Sequence, residues 1–122
     1  MTSLRLRDIT DEYNFNALTT DGRITNVVRA IKSGGSRIFG YLINNPNAAE
    51  AFMQIFYKPS TSVILGTTAP DLIVKIAATG SVAWDFMDPR GVNSTGLSMA
   101  ATTTDTGSTA NTTGLSGTIF YV

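Results

Sequence analysis

The stretch that most restricts what this chain can fold into is residues 37–77. It reads Arg-Ile-Phe-Gly-Tyr-Leu-Ile-Asn-Asn-Pro, then Ala-Phe-Met-Gln-Ile-Phe-Tyr-Lys-Pro, then Leu-Gly-Thr-Thr-Ala-Pro-Asp-Leu-Ile-Val-Lys-Ile-Ala. Three short runs of aromatic and branched side chains are parted by Asn-Pro, Lys-Pro and a Gly-Thr-Thr-Ala-Pro loop. That punctuation predicts three consecutive strands and their turns. Residues 46–58 also admit a helix, because Asn45-Pro46 can start one and Ala49, Phe52, Met53 and Phe56 fall at helical spacing. We take a turn over 46–50 and a strand over 51–58, since residues 52–57 are dense in strand-forming side chains and Lys58-Pro59 stops them abruptly.

The rest of the chain extends the same pattern. Asp21-Gly22 reads as a turn, followed by a strand over 24–32 and a Ser-Gly-Gly-Ser turn. Along residues 37–44, Ile38, Gly40 and Leu42 alternate with Phe39, Tyr41 and Ile43, so both faces are apolar and the strand needs cover on both sides. A short extended piece is expected over 61–65 and a strand over 71–77, with Leu72, Val74 and Ile76 inward. In the strand over 81–87, Val82, Trp84 and Phe86 share one face, which assigns the single Trp to the core. Asp88-Pro89-Arg90-Gly91 reads as a turn, and strands over 95–103 and 115–122 complete the set. Residues 104–113 hold only Thr, Ser, Gly, Asn, Ala and Asp, and predict a loop that is mobile unless a partner orders it. Ser and Thr make 28 of the 122 residues, which favours many short strands and turns over helices.

Seven or eight strands at this spacing predict an all-β fold, a two-sheet antiparallel sandwich with a jelly roll as the preferred topology. An immunoglobulin-like sandwich or a small barrel has the same periodicity. The length fits one domain, here residues 24–122. Residues 1–23 differ, holding seven of the eighteen charged side chains among isolated large apolar ones. They read as an extended N-terminal arm whose Leu4, Leu6, Tyr13 and Phe15 are candidate partner contacts. A frayed terminus with an edge strand near 15–20 explains them equally well.

Composition excludes several functions. The chain has neither His nor Cys, so imidazole bases, thiol nucleophiles, disulfides and the usual transition-metal ligands are missing. Asp85 and Asp88 could serve as a calcium loop or an acid/base pair, but turn chemistry explains the Asp, Pro and Gly of that segment without either. The expectation is a protein that is not an enzyme and has no cofactor. Nine basic and nine acidic residues cancel with no cationic run, which disfavours nucleic acid and anionic membranes. No leader or membrane-length apolar run is apparent, so the two Asn-X-Thr matches, at Asn93 and Asn111, read as accidental.

One charged residue, Asp105, occurs from position 91 to 122. Together with the two-faced apolar strands this points to a homo-oligomer or a broad docking surface, because interface centres are poor in charge and rich in aromatics. A Thr-rich surface that is soluble without charge is the bland alternative. Tyr41 and Tyr57 complete the candidate partner-binding residues, and a carbohydrate-binding reading would place Tyr41, Tyr57 or Tyr121 on an open face.

The order of Ser-Gly-Gly-Ser-Arg-Ile-Phe-Gly-Tyr-Leu-Ile-Asn-Asn-Pro, Ala-Phe-Met-Gln-Ile-Phe-Tyr, Gly-Thr-Thr-Ala-Pro-Asp-Leu, Pro-Arg-Gly-Val and Ser-Thr-Gly-Leu-Ser-Met-Ala-Ala-Thr-Thr-Thr resembles small β-sandwich virion proteins of tailed bacteriophages. The likeness runs from about residue 32 to the C-terminus and lies in the order and spacing of the pieces. It implies a capsid decoration, or cement, protein on the outer surface of the head that ties major capsid protein subunits together. It also implies assembly in the bacterial cytoplasm and symmetric placement as a dimer or trimer. A tail, neck or fibre component and a carbohydrate-binding module are the alternatives.

Overall fold

A computed structural model describes residues 16–93 and 95–122. Eight strands follow in order: β1 (Asn16–Ile24), β2 (Arg29–Ser33), β3 (Ser36–Asn44), β4 (Ala51–Phe56), β5 (Leu72–Ile76), β6 (Ser81–Asn93), β7 (Gly96–Thr102) and β8 (Leu115–Tyr121). They form two four-stranded sheets, ordered β1-β8-β3-β6 and β2-β7-β4-β5. Every pairing is antiparallel, and β1 with β8, β2 with β7, β3 with β6 and β4 with β5 are nested like the two arms of one long hairpin. The pairs β3 with β8 and β4 with β7 roll that hairpin into two sheets. This is the jelly roll, and it separates the fold from the other sandwiches that share its periodicity.

The core lies between the sheets. Ile38, Ile43, Leu115 and Ile119 of the first sheet meet Ile31, Met53, Ile55, Val74, Ile76, Leu97, Met99 and Ala101 of the second. In β5 the burial alternates as expected, with Val74 and Ile76 buried and Ile73 and Lys75 exposed. β7 does not alternate at all, since each of its seven residues is buried. In β4 the outward positions Gln54 and Phe56 are as fully buried as the inward Met53 and Ile55. The central strands β4 and β7 of the second sheet are therefore covered on their outer face too, by the chain's own loops. The Ser98 hydroxyl donates to the Lys58 carbonyl at 2.9 Å, Gln54 Nε2 donates to the Gly107 carbonyl at 3.0 Å, and the Thr102 hydroxyl donates to the Thr104 carbonyl at 2.7 Å. Residues 104–113, expected to be mobile unless a partner orders them, are held by the Gln54 and Thr102 bonds and by Asn26 and Asn47, which donate to the carbonyls of Ser108 and Thr113.

Several boundaries move. Residues 51–56 are a strand, so the turn-and-strand reading of 46–58 holds and the helix does not form. The expected strand over 24–32 splits, because β1 ends at Ile24 and residues 25–28 connect it to β2. Asp21-Gly22 lies inside β1, where pairing with β8 slips between Thr20 and Ile24. β1 thus takes residues 16–23 from the segment assigned to the arm, and residues 1–15 lie outside the described residues. Asp88-Pro89 likewise sits within β6, where the pairing slips between the partners of Ile38 and Gly40. Both segments are edge strands, and an edge accommodates a bulge, Gly or Pro that an inner strand would reject. Ser60–Ser62 form a short 3-10 turn where an extended piece was expected. β3 also slips against β8 between Ile38 and Gly40, which breaks its strict alternation and leaves Ile38 and Ile43 buried while Leu42 is half exposed.

One end of the roll is closed by two buried carboxamides. Asn45 Nδ2 donates to the carbonyls of Ala49, Ile76 and Ala77 at 3.0, 3.3 and 3.1 Å. Its Oδ1 accepts from the backbone N–H and Nδ2 of Asn47 at 2.9 and 2.8 Å. Asn47 then exchanges bonds with Thr113 at 2.8 and 2.7 Å. Replacing Asn45 with Asp turns a donor into a carboxylate facing three carbonyls. The expected cost is about 3–5 kcal/mol for an uncompensated buried charge. It is read as a fall in urea midpoint that shrinks as the pH drops into the carboxyl range, because burial raises the folded-state pKa. Glycine substitutions separate two causes. At Gly34, with φ +81° and open space around a Cβ, Ala is expected to cost about 1–2 kcal/mol. At Gly117, with φ +154°, a Cβ would overlap the Leu42 carbonyl oxygen and lie 2.9 Å from Ile43 Cα, so Gly117→Ala is expected to cost about 3 kcal/mol or more in the same assay.

Candidate functional site

The candidate residues are located in the fold together with the large apolar side chains that burial leaves over among the described residues. Tyr41 stands on β3, opposite Ile119 of β8 on one side and Trp84 of β6 on the other. It is partly buried and packs against the core, and that burial raises its phenol pKa above the usual 10.0. Tyr57 follows β4 and is also partly buried against the core, while its backbone N–H donates to Asp71 Oδ2 at 2.7 Å. Tyr121 packs there too. None of the three forms the open aromatic platform that a sugar-stacking site needs. Leu4, Leu6, Tyr13 and Phe15 fall outside the described residues, as do the side chains of Asp85 and Asp88. Among the described residues, no three carboxylates come together as a metal site would require.

The expected place of Trp84 in the core is not what the structure shows. Its side chain is 58% exposed. The face was inferred correctly, since Trp84 pairs with Tyr41 and paired residues share a face. What alternation could not show is that β6 is the sheet edge, where an inward-facing position can lie beyond the cover of the opposite sheet. On the other face of the same sheet Leu42 is 50% exposed, beside Ala83 of β6 and Thr118 of β8.

A second exposed apolar group lies on loops that the sequence reading passed over. Among the described residues, Val27, in the β1–β2 connection, and Ile64, in the β4–β5 connection, are the most exposed large hydrophobic residues, at 70% and 67%. Asn26, beside Val27, donates to the Ser108 carbonyl at 3.2 Å. A Cβ built at Gly66, two residues past Ile64, would lie 3.2 Å from the Ser108 Cβ. Three connections thus meet around Ser108. Residues 25–28, 59–70 and 103–114 together contain one charged residue, Asp105. The missed signal was long-range, because these segments carry nothing unusual until the roll brings them together.

No family model and no curated protein matches this sequence. Among solved structures, the chain is similar to the Tobacco streak virus coat protein at 13% identity and a TM-score of 0.47, over 98% of this chain and 89% of that one. At that distance the comparison assigns no role to any residue.

The exposure of Trp84 is directly measurable, because it is the only Trp in the chain. In dilute protein its emission is expected to resemble indole in water and to be quenched readily by acrylamide. A blue-shifted, protected emission would place the ring in a covered position instead.

Proposed function

We propose that this chain is a structural component of a virus particle, a capsid decoration protein of the bacteriophage cement type. On this reading it binds the outer surface of the head and reinforces contacts between major capsid protein subunits. The observation that carries the proposal is where the phage-like landmarks fall. The Arg-Ile-Phe-Gly-Tyr-Leu-Ile-Asn-Asn-Pro piece is β3 with its closing turn, Ala-Phe-Met-Gln-Ile-Phe-Tyr is β4, and Thr-Gly-Leu-Ser-Met-Ala-Ala-Thr leads into and fills β7. Gly-Thr-Thr-Ala-Pro-Asp-Leu is the loop over the outer face that enters β5. The resemblance therefore follows the framework of the roll and its covering loop, not one short motif. A jelly roll is an architecture used in capsids and lectins, and by metal-binding cupins that depend on ligands such as His. This chain contains no His, and its three candidate tyrosines do not form an open platform.

Mechanistically, a cement protein adds interfaces that form only on the assembled shell, so its binding energy is added to the work of rupturing that shell. Leu4, Leu6, Tyr13 and Phe15 are the proposed arm contacts, with Tyr41 and Tyr57 at the partly exposed margins of the core. No charged run is required, because the partner is a protein lattice. Quantitative mass spectrometry of purified virions tests the reading. A ratio to the major capsid protein near unity or a simple fraction is expected from quasi-equivalent repetition. A few copies per particle would move the chain to the tail, neck or fibre, and absence from virions would overturn the reading.

A further inference from the structure

We infer that residues 104–112 form a strap that lifts off the outer face of the second sheet as one unit while the rest of the roll stays folded. The inference concerns the chain alone and does not rest on the virion reading. Among the described residues, the buried side-chain oxygens without a hydrogen-bond donor are Gln54 Oε1 and Asn111 Oδ1. The first belongs to the residue that holds the strap at Gly107, and the second belongs to the strap itself. Gln54 cannot turn its carboxamide over to pair that oxygen. Its Nε2 donates to the Thr102 hydroxyl at 2.7 Å and to the Gly107 carbonyl at 3.0 Å, and a flipped group would set oxygen against that carbonyl. The closed strap therefore carries unpaired acceptors that water satisfies once it lifts.

Little else opposes the opening. None of residues 104–112 is buried, so the strap withdraws no apolar side chain from the core. The sheet groups that bond to it are Gln54 and the Thr102 hydroxyl, which donates to the Thr104 carbonyl at 2.7 Å. Lifting the strap hydrates a carboxamide and a hydroxyl, which water solvates well. Two further ties, from Asn26 Nδ2 to the Ser108 carbonyl at 3.2 Å and from the Thr103 N–H to the Thr109 carbonyl at 3.0 Å, are equally neutral. The neighbouring cover is built differently, because residues 57–71 bury Val63. Both ends of the strap are fixed, one by β7, which runs to Thr102, and the other by Thr113, which exchanges bonds with the buried Asn47. Few buried apolar contacts and exposed hydrogen bonds are the conditions for local opening, and here they end at two anchors. This is where the fold changes shape without unfolding.

Native-state hydrogen exchange of the full chain, followed by NMR in low urea, tests this. The Gln54 side-chain amide protons report from under the strap, and the Thr103 N–H reports its closure from within. Both are expected to show the same protection factor, roughly 100-fold or more below those of the β4 and β7 backbone amides, with little dependence on urea. Asn26→Ala removes an exposed tie that involves neither reporter. It is expected to speed both by about threefold and to leave the β4 and β7 amides unchanged. Gln54 protons as well protected as those amides would overturn the inference, since global unfolding alone would then release the carboxamide. Faster exchange at Thr103 without Gln54 would mean fraying at the end of β7 and overturn it too. A response to Asn26→Ala at only one reporter, or at neither, would show that the strap does not move as a unit.

Discussion

At one end of the roll the β3–β4, β5–β6 and β7–β8 connections converge on Asn45 and Asn47. Nested pairing brings together segments far apart in sequence, and Asn47 and Thr113 are 66 residues apart. Such contacts are entropically expensive to form, so they need an interaction that the alternatives cannot match. An apolar side chain at position 45 could fill the same space but would leave the Ala49, Ile76 and Ala77 carbonyls without the donor they now share. Each buried polar group left unpaired costs about 1–3 kcal/mol, comparable to a sizeable fraction of a small domain's stability. The carboxamide supplies a donor and an acceptor on one short side chain and carries no charge to desolvate. That combination suits a site where three turns must be tied from within.

The second sheet shows a different solution to burial. β4 and β7 are apolar or small on both faces, and the loops over residues 57–71 and 103–114 lie on the outer one. Gln54 is a polar member of that layer, with Ser98 and Thr102. Its Nε2 reaches the Thr102 hydroxyl at 2.7 Å as well as the Gly107 carbonyl, so a loop with no large side chain is fixed by polar contacts from below. Two-faced strands in the sequence do not decide cover by themselves: β3, expected to be covered on both sides, leaves Leu42 half exposed on its outer face, whereas β4 is covered on both. Such strands could not distinguish a partner from the chain's own loops, because residues 104–113 contain no large apolar side chain that announces a buried position. For this sheet the cover is internal, and the apolar content of β4 is no reason to require another subunit.

The elements with strong punctuation were the readable ones. β3, β4, β5, β7 and β8 all fall close to where Pro, Gly and alternating apolar residues predict them. Asp21-Gly22 and Asp88-Pro89-Arg90-Gly91 were misread because the same residues that make a turn also make a bulge, and only the pairing partner distinguishes the two. Trp84 failed for a related reason. Alternation gives a side chain's face, whereas burial also depends on whether its strand is central or at an edge. Strand order in a jelly roll is fixed by contacts remote in sequence, so neither the exposed Trp nor the meeting of three loops at Ser108 could be read locally.

The abundance of Ser and Thr acquires two physical roles once the fold is known. Some hydroxyls satisfy backbone groups, as Thr25, Thr68, Ser98 and Thr102 do, and so fix loops without apolar bulk. Others keep exposed segments hydrated without charge. Among the described residues, the Lys75–Glu50 pair at 3.3 Å is exposed on both sides, and such a pair contributes at most about 1 kcal/mol. Order in these loops therefore rests mainly on short neutral hydrogen bonds and packing, which salt does little to screen, with the Asp71 carboxylate adding a charged acceptor for the Tyr57 N–H. A chain stabilised in this way can hold aliphatic side chains such as Val27 and Ile64 exposed on ordered loops without a charged neighbour to keep those loops in place.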